Sequence, residues 1–186
     1  MQKSSTELQP IYTFVTESPV GKIRAASTGD AIKGLWFIGQ MYFPKISDNW
    51  IEKGTLPIFK SLETWLKNYF KGKNPKMDIP LSYEESISPP AFGFTAASDF
   101  RKAVWKILLD IPYGETCTYR EISDSLIANG IKASAQAVGG AVGHNPISLL
   151  IPCHRVIGSD GSLTGYAGGI EKKKFLLELE GKKIYD

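Results

Sequence analysis

The segment Ser134–Gly143, SAQAVGGAVG, constrains this chain more than any other. It reads as a short helix, yet Ala135, Ala137, Gly139, Gly140, Ala141 and Gly143 leave it almost no side-chain bulk. A glycine inside a helix costs roughly 1 kcal/mol relative to alanine, so the pair Gly139-Gly140 needs a reason. Close approach to another surface supplies one. That surface is either a neighbouring helix or strand of the same fold, or a narrow DNA groove that a thin helix enters to press on the sugar-phosphate backbone.

The residues before it place this helix in a recognisable unit. Thr118-Tyr119-Arg120-Glu121 fits a capping box, with Thr118 as N-cap and Glu121 at N3, and predicts a helix to about Ala128 that ends at Asn129-Gly130. Two short helices so joined resemble a helix-turn-helix. Upstream, Ser98–Asp110 carries Phe100, Val104, Ile107 and Leu108 on one helical face and stops before Pro112. The first half differs. Ile11–Val15, Lys22–Ser27 and Gly34–Ile38 are β-like runs separated by turn residues, which predicts an antiparallel meander. A helix over roughly Leu56–Lys71, with Phe59, Leu62, Leu66 and Phe70 on one face and Gly72 at its end, follows. Residues 73–93, rich in Pro and Ser, read as a connection.

Beyond Asn145-Pro146, Ile147–Ile151 predicts a buried strand running directly into Pro152-Cys153-His154-Arg155. Val156-Ile157 predicts a second strand, and a final helix spans about Ile170–Glu180, closed by Gly181. Within it the run Lys172–Lys174 reads most simply as a solvated face, with a place near phosphates as the alternative. The fold class is α+β: a first domain over residues 1–92, connection included, and a mainly helical second domain over 93–186.

Composition limits the function classes. Of 186 residues 42% are apolar, enough for a core, and no apolar run approaches membrane-spanning length. The polar start MQKSSTELQP predicts no signal peptide. Two cysteines without a C-x-x-C pair build neither a disulfide framework nor a zinc site, so no metal is expected, and a reduced, cytoplasmic setting is the economical expectation. Residues 1–92 carry 11 basic and 9 acidic side chains and residues 93–186 carry 11 and 10. That balance permits nucleic-acid binding without arguing for it.

Cys117, between two threonines, reads as a small buried hydrophobe. Cys153 has different neighbours: Pro152 fixes the backbone, while His154 and Arg155 offer a base and a positive charge. Since only a thiolate attacks, a reactive cysteine calls for an electropositive, partly exposed setting. Adjacent side chains of an extended chain diverge, so cooperation of Cys153 with His154 requires a turn or a bridging water.

Ile151-Pro152-Cys153-His154-Arg155-Val156 resembles the signature of the O6-alkylguanine-DNA alkyltransferases. The resemblance spans roughly Phe92–Gly181, taking in Trp105, Gly114-Glu115-Thr116 with Tyr119, Ala137-Val138-Gly139-Gly140-Ala141, Asn145-Pro146, Gly165-Tyr166 and Leu179-Glu180-Gly181. The first half is compatible with the family's ribonuclease-H-like domain, and the second with its winged-helix-like helix-turn-helix.

The resemblance implies a single-use DNA-repair enzyme without a cofactor, acting as a monomer on double-stranded DNA approached through the minor groove. A guanine alkylated at O6, with O4-alkylthymine as a candidate second substrate, is flipped out and its alkyl group moved to Cys153. By the same resemblance Glu180 polarises His154, which takes the Cys153 proton through a water; Asn145 braces the cysteine segment; Tyr119 protonates a guanine ring nitrogen. Val156, Tyr166 and Ala167 wall the base pocket. Gln136, Ala137, Gly139, Arg120 and Ser159 face DNA. Gln136 departs from the pattern, because the best-known members carry there an arginine that replaces the flipped base, and glutamine lacks its charge and planar fork. The turn Asn129–Lys132 is also longer. Three rivals stand beside this reading: a non-catalytic alkyltransferase-like lesion binder, which lacks the acceptor cysteine; a helix-turn-helix transcription factor, which needs a bulkier recognition helix; and a cysteine hydrolase, which needs an oxyanion site.

Overall fold

The computed structural model describes residues 10–46, 48, 50–83 and 98–183. Strands β1 (Ile11–Thr16), β2 (Ile23–Ser27) and β3 (Ile32–Phe37) form the expected antiparallel meander. A short β4 (Trp50–Glu52), which the sequence does not predict, pairs parallel to β1 and gives the order β3-β2-β1-β4. Helix α1 (Pro57–Tyr69) turns Phe59, Leu62, Trp65, Leu66 and Tyr69 into a core shared with Ile23, Leu35 and Phe37. Gly72, in the left-handed region at φ +72°, closes it.

The second half holds α2 (Asp99–Leu109), β5 (Cys117–Thr118), α3 (Tyr119–Ala128), α4 (Ala135–Gly143), β6 (Val156–Ile157) and α5 (Ile170–Leu179). The capping box is reciprocal: the Glu121 N–H donates to Thr118 Oγ1 at 3.1 Å and the Thr118 N–H to Glu121 Oε2 at 2.7 Å. Ser134 starts α4 by accepting from the Ala137 N–H. Helices α2, α3 and α4 pack on one another through Val104, Leu108, Ile122, Leu126 and Val138.

One buried cluster runs through both halves, and the edge of β3 joins them. The Leu35 N–H donates to Pro146 O at 2.9 Å and the Ser148 N–H returns to Leu35 O at 2.8 Å. On the same strand the Ile32 N–H donates to Pro80 O and the Ser82 N–H to Ile32 O. Residues 73–83 are therefore more than a connection, since Ile79 is buried and Leu81 bridges to the sheet. The expected junction between Phe92 and Gly93 lies outside the described residues.

Ile147–Ile151 is not a strand. Only Ile147 pairs, in an isolated bridge to Leu35, after which Leu149 takes φ +69° and the Leu150 N–H folds back onto Ser148 O. A short apolar run buried on all sides has no period to distinguish strand from turn. The turn delivers the chain to Cys153 with its side chain directed inward.

Candidate active site

Cys153 begins a 3-10 turn, Cys153–Arg155, immediately after Pro152. A turn was one of the two expected routes to cooperation between Cys153 and His154, and the chain turns here. The thiol is buried, 4% exposed, where a partly exposed setting was expected. Asn145, just past the end of α4, reaches it: Nδ2 donates to Sγ at 3.0 Å and to Ile151 O at 2.8 Å, while Oδ1 accepts from the Ile147 N–H. Asn145 thus braces the 145–151 segment and also solvates the sulfur. Burial pushes the thiol up to about 11, against the Asn145 hydrogen bond and the charge of Lys173. At rest it is a neutral thiol.

Beneath it lies a carboxylate with five donors. Glu180 caps the C-terminus of α5, where the helix dipole disfavours negative charge. Compensation comes from all sides. Oε1 accepts from His154 Nε2 at 2.8 Å, Tyr69 Oη at 2.7 Å and Arg155 Nη2 at 3.0 Å; Oε2 accepts from Arg155 Nε at 2.9 Å and the Gly114 N–H at 3.1 Å. Burial pushes the Glu180 carboxyl up, but the hydrogen bonds and charges of His154 and Arg155 outweigh it and hold the group well below the usual carboxylate range. Burial lowers His154 more than Glu180 raises it, so the imidazole is neutral. An ionised carboxylate only accepts, hence the single ring proton sits on Nε2 and Nδ1 keeps a lone pair. Nδ1 is buried and has no hydrogen-bond partner among the described residues.

The close seat of Gly114 explains its identity. It adopts φ +78°, and a Cβ there would stand 2.8 Å from Glu180 O.

Around the thiol, Tyr119 at the start of α3 donates to Thr164 O at 2.9 Å. Lys173 corrects an expectation. The middle of the Lys172–Lys174 run is fully buried, its ammonium donating to Thr164 O at 2.7 Å and lying 5.9 Å from the Tyr119 ring centroid. Burial brings it down to about 8. Val156 is buried, Tyr166 packs edge-on to Phe37, and Ala167 O accepts from the Met41 N–H at 2.9 Å. Gln136 and Ala137 are exposed on the first turn of α4, and Gly139 is partly exposed. Arg120 and Ser159 are exposed and outside the hydrogen-bond network of the thiol. Among the described residues, no three of His, Cys, Asp and Glu gather where they could hold a metal ion.

The two explanations for the glycine pair now separate. The inner side of α4 packs closely, with Trp105 Nε1 donating to Ala141 O at 2.9 Å. A Cβ on Gly140 meets nothing within 4 Å among the described residues, and one on Gly139 meets only the Tyr119 ring at 3.9 Å. Packing within the chain does not require either glycine. Gly140→Ala is therefore expected to stabilise the protein by about 0.5–1 kcal/mol, read as a raised denaturant midpoint.

Comparison with known proteins supplies the context. Residues 99–182 match the family model described as 6-O-methylguanine DNA methyltransferase, DNA binding domain, and residues 11–83 match its ribonuclease-like domain. The chain belongs to the 6-O-methylguanine DNA methyltransferase family. It is 42% identical over 174 residues, 94% of this chain and 99% of the relative, to the methylated-DNA–protein-cysteine methyltransferase of Methanosarcina barkeri. The same-named protein of Haemophilus influenzae is 40% identical, covering 91% of this chain and 85% of its own. A crystal structure of Mycobacterium tuberculosis OGT in complex with DNA superposes with a TM-score of 0.74 at 38% identity, over 91% of this chain and 92% of that one.

Within this methyltransferase, sequence reasoning had brought together Cys153, His154, Glu180 and Asn145. It gives no role to Tyr69, Gly114 or Lys173, and takes Arg155 for a charge serving the thiol where it serves Glu180. No spacing links Tyr69 to Glu180, and a lysine run carries no sign of which member is buried. For Gly114, the left-handed turn Pro112–Glu115 was the available signal.

Proposed function

We propose that this family member repairs DNA by moving the alkyl group of O6-alkylguanine irreversibly to Cys153, once per molecule. The observation that carries this reading is the buried Glu180–His154 pair beside Cys153 in the chain, with Asn145 on the sulfur and the His154 Nδ1 lone pair unclaimed. In the reaction Nδ1 takes the Sγ proton through a water. The thiolate attacks the alkyl carbon, an S–C bond forms, and the O6–C bond breaks with its electron pair going to guanine. Tyr119 exchanges its bond to Thr164 O for the guanine ring nitrogen and supplies a proton there. Neutral guanine and a thioether result, the proton on His154 replacing the one lost by Tyr119.

The lesion atom is accessible only once the base leaves the stack. We assign that step to α4, entering the minor groove with Gln136 and Ala137 leading and the open Gly139-Gly140 surface against the backbone. Arg120 and Ser159 are placed at the flanking phosphates, and Val156, Tyr166 and Ala167 around the flipped base. We place the protein, as a monomer, in the cytoplasm. No helix among the described residues is long and apolar enough to cross a membrane.

The test is incubation with a duplex carrying O6-methylguanine, followed by intact-protein and peptide mass measurement. One added methyl on Cys153, with repair stopping at one equivalent, is expected. Unmodified protein that still binds the duplex identifies a lesion binder, and continued turnover a hydrolase; either overturns the proposal. Gln136→Ala is expected to slow repair several-fold in duplexes and to leave single-strand repair unchanged. Equal slowing in both removes Gln136 from base extrusion.

A further inference from the structure

We propose that Tyr69 is a positioning residue for alkyl transfer: from the ribonuclease-like half of the chain, its hydroxyl fixes the Glu180 oxygen that orients His154 and shares the charge of that oxygen. The inference rests on His154 being the base of the proposed reaction.

Tyr69 is the last residue of α1 and is 1% exposed. Its ring stacks on Trp65 with centroids 5.0 Å apart and planes 9° from parallel, and Tyr113 meets it edge-on at 6.1 Å. The ring therefore has one orientation, and that orientation sets the hydroxyl 2.7 Å from Glu180 Oε1 and 3.4 Å from His154 Nε2. Burial, and then the Glu180 charge, keep the phenol protonated, so it is a permanent donor.

Three donors share Oε1, namely His154, Arg155 and Tyr69. Removing one concentrates negative charge on the other two. Of these only His154 titrates near neutrality, so the change is expressed there. The charged and titratable groups around the pair are Glu180 itself, Arg155 and Cys153 on the 3-10 turn, Lys173 on α5, Tyr113 before β5 and Tyr166 in the loop before α5. None replaces the lost donor in a Tyr69→Phe variant, whose ring keeps the stack. A more negative Oε1 favours the imidazolium. His154 then holds its proton to higher pH and becomes a base only above it.

Single-turnover methyl transfer from an O6-methylguanine duplex, with protein in excess between about pH 5.5 and 9, tests this. Tyr69→Phe is expected to accept one methyl per molecule, with the acid limb of its pH–rate profile moved up by about one unit, the scale of one hydrogen bond to a charged group. Transfer is then up to about tenfold slower than wild type at pH values below both limbs and nearly equal well above them. Trp65→Phe, which keeps an aromatic partner for the stack and keeps the hydroxyl, is expected to leave the limb in place. A superimposable limb for Tyr69→Phe, or an equal displacement in Trp65→Phe, overturns the inference. NMR titration of the His154 ring reads the same shift without transfer: an upward midpoint in Tyr69→Phe supports the inference, an unchanged one overturns it. A wild type that takes no methyl fails the proposed function itself, a distinct outcome.

Discussion

Cys153→Ser is expected to bind a duplex containing O6-methylguanine as the wild type does and to accept no methyl group. The substitution is nearly isosteric, and Asn145 Nδ2, now 3.0 Å from Sγ, retains an acceptor in the hydroxyl. What disappears is the nucleophile. Burial already holds the thiol near 11; a serine hydroxyl in the same place starts from a far higher value, beyond what a neutral imidazole can deprotonate. Oxygen is also a poorer nucleophile than sulfur toward a saturated carbon. Intact-protein mass and a gel-shift titration on the same preparation check both halves of the expectation. A methylated variant would move the acceptor site away from Cys153.

Glu180→Ala is expected to lower stability by about 3–5 kcal/mol, the range for removing one partner of a buried ion pair. The largest loss is at Arg155, a residue only 9% exposed, whose guanidinium would be left without its carboxylate. The Gly114 N–H, the Tyr69 hydroxyl and His154 Nε2 lose their acceptor as well. Against a total stability of roughly 5–15 kcal/mol, that loss is visible in any denaturant titration. Its pH dependence is also distinctive. The folded carboxyl is held below the unfolded value of about 4.3, so its contribution is complete above that pH and is lost as pH falls toward the folded value. The wild type should weaken over this interval more steeply than the variant. Equal slopes would mean that Glu180 is not the carboxylate responsible.

Much of this architecture was legible because particular residues admit one local solution. Thr118 and Glu121 cap the same helix reciprocally, Ser134 opens α4, and the turn residues between β1, β2 and β3 mark the meander. Three other features were hidden for physical reasons. Strand β4 is three residues long and pairs parallel to a distant strand, so it carries no local pattern. Ile147–Ile151 is apolar apart from Ser148 and is enclosed, and enclosure suits a turn as well as a strand. Lys173 is charged by formula yet buried, since the Thr164 carbonyl and the Tyr119 ring receive its ammonium. In the site, neighbours in sequence such as Cys153 and His154 were readable, whereas Tyr69 meets Glu180 across 111 positions. The folded sheet edge, which grips Pro146 and Ser148 through Leu35, and the core shared by both halves bring such partners together.

The concealed thiol has a consequence for a protein that is spent in one reaction. Any molecule whose sulfur is oxidised or captured by a stray electrophile is lost as surely as one that has repaired a lesion. Oxidation and alkylation both proceed through exposed thiolate, and Cys153 is neither exposed nor ionised at rest. Its low intrinsic reactivity therefore lengthens its working life in reserve, and discrimination between a damaged base and small reactive solutes is achieved by access before any chemistry begins.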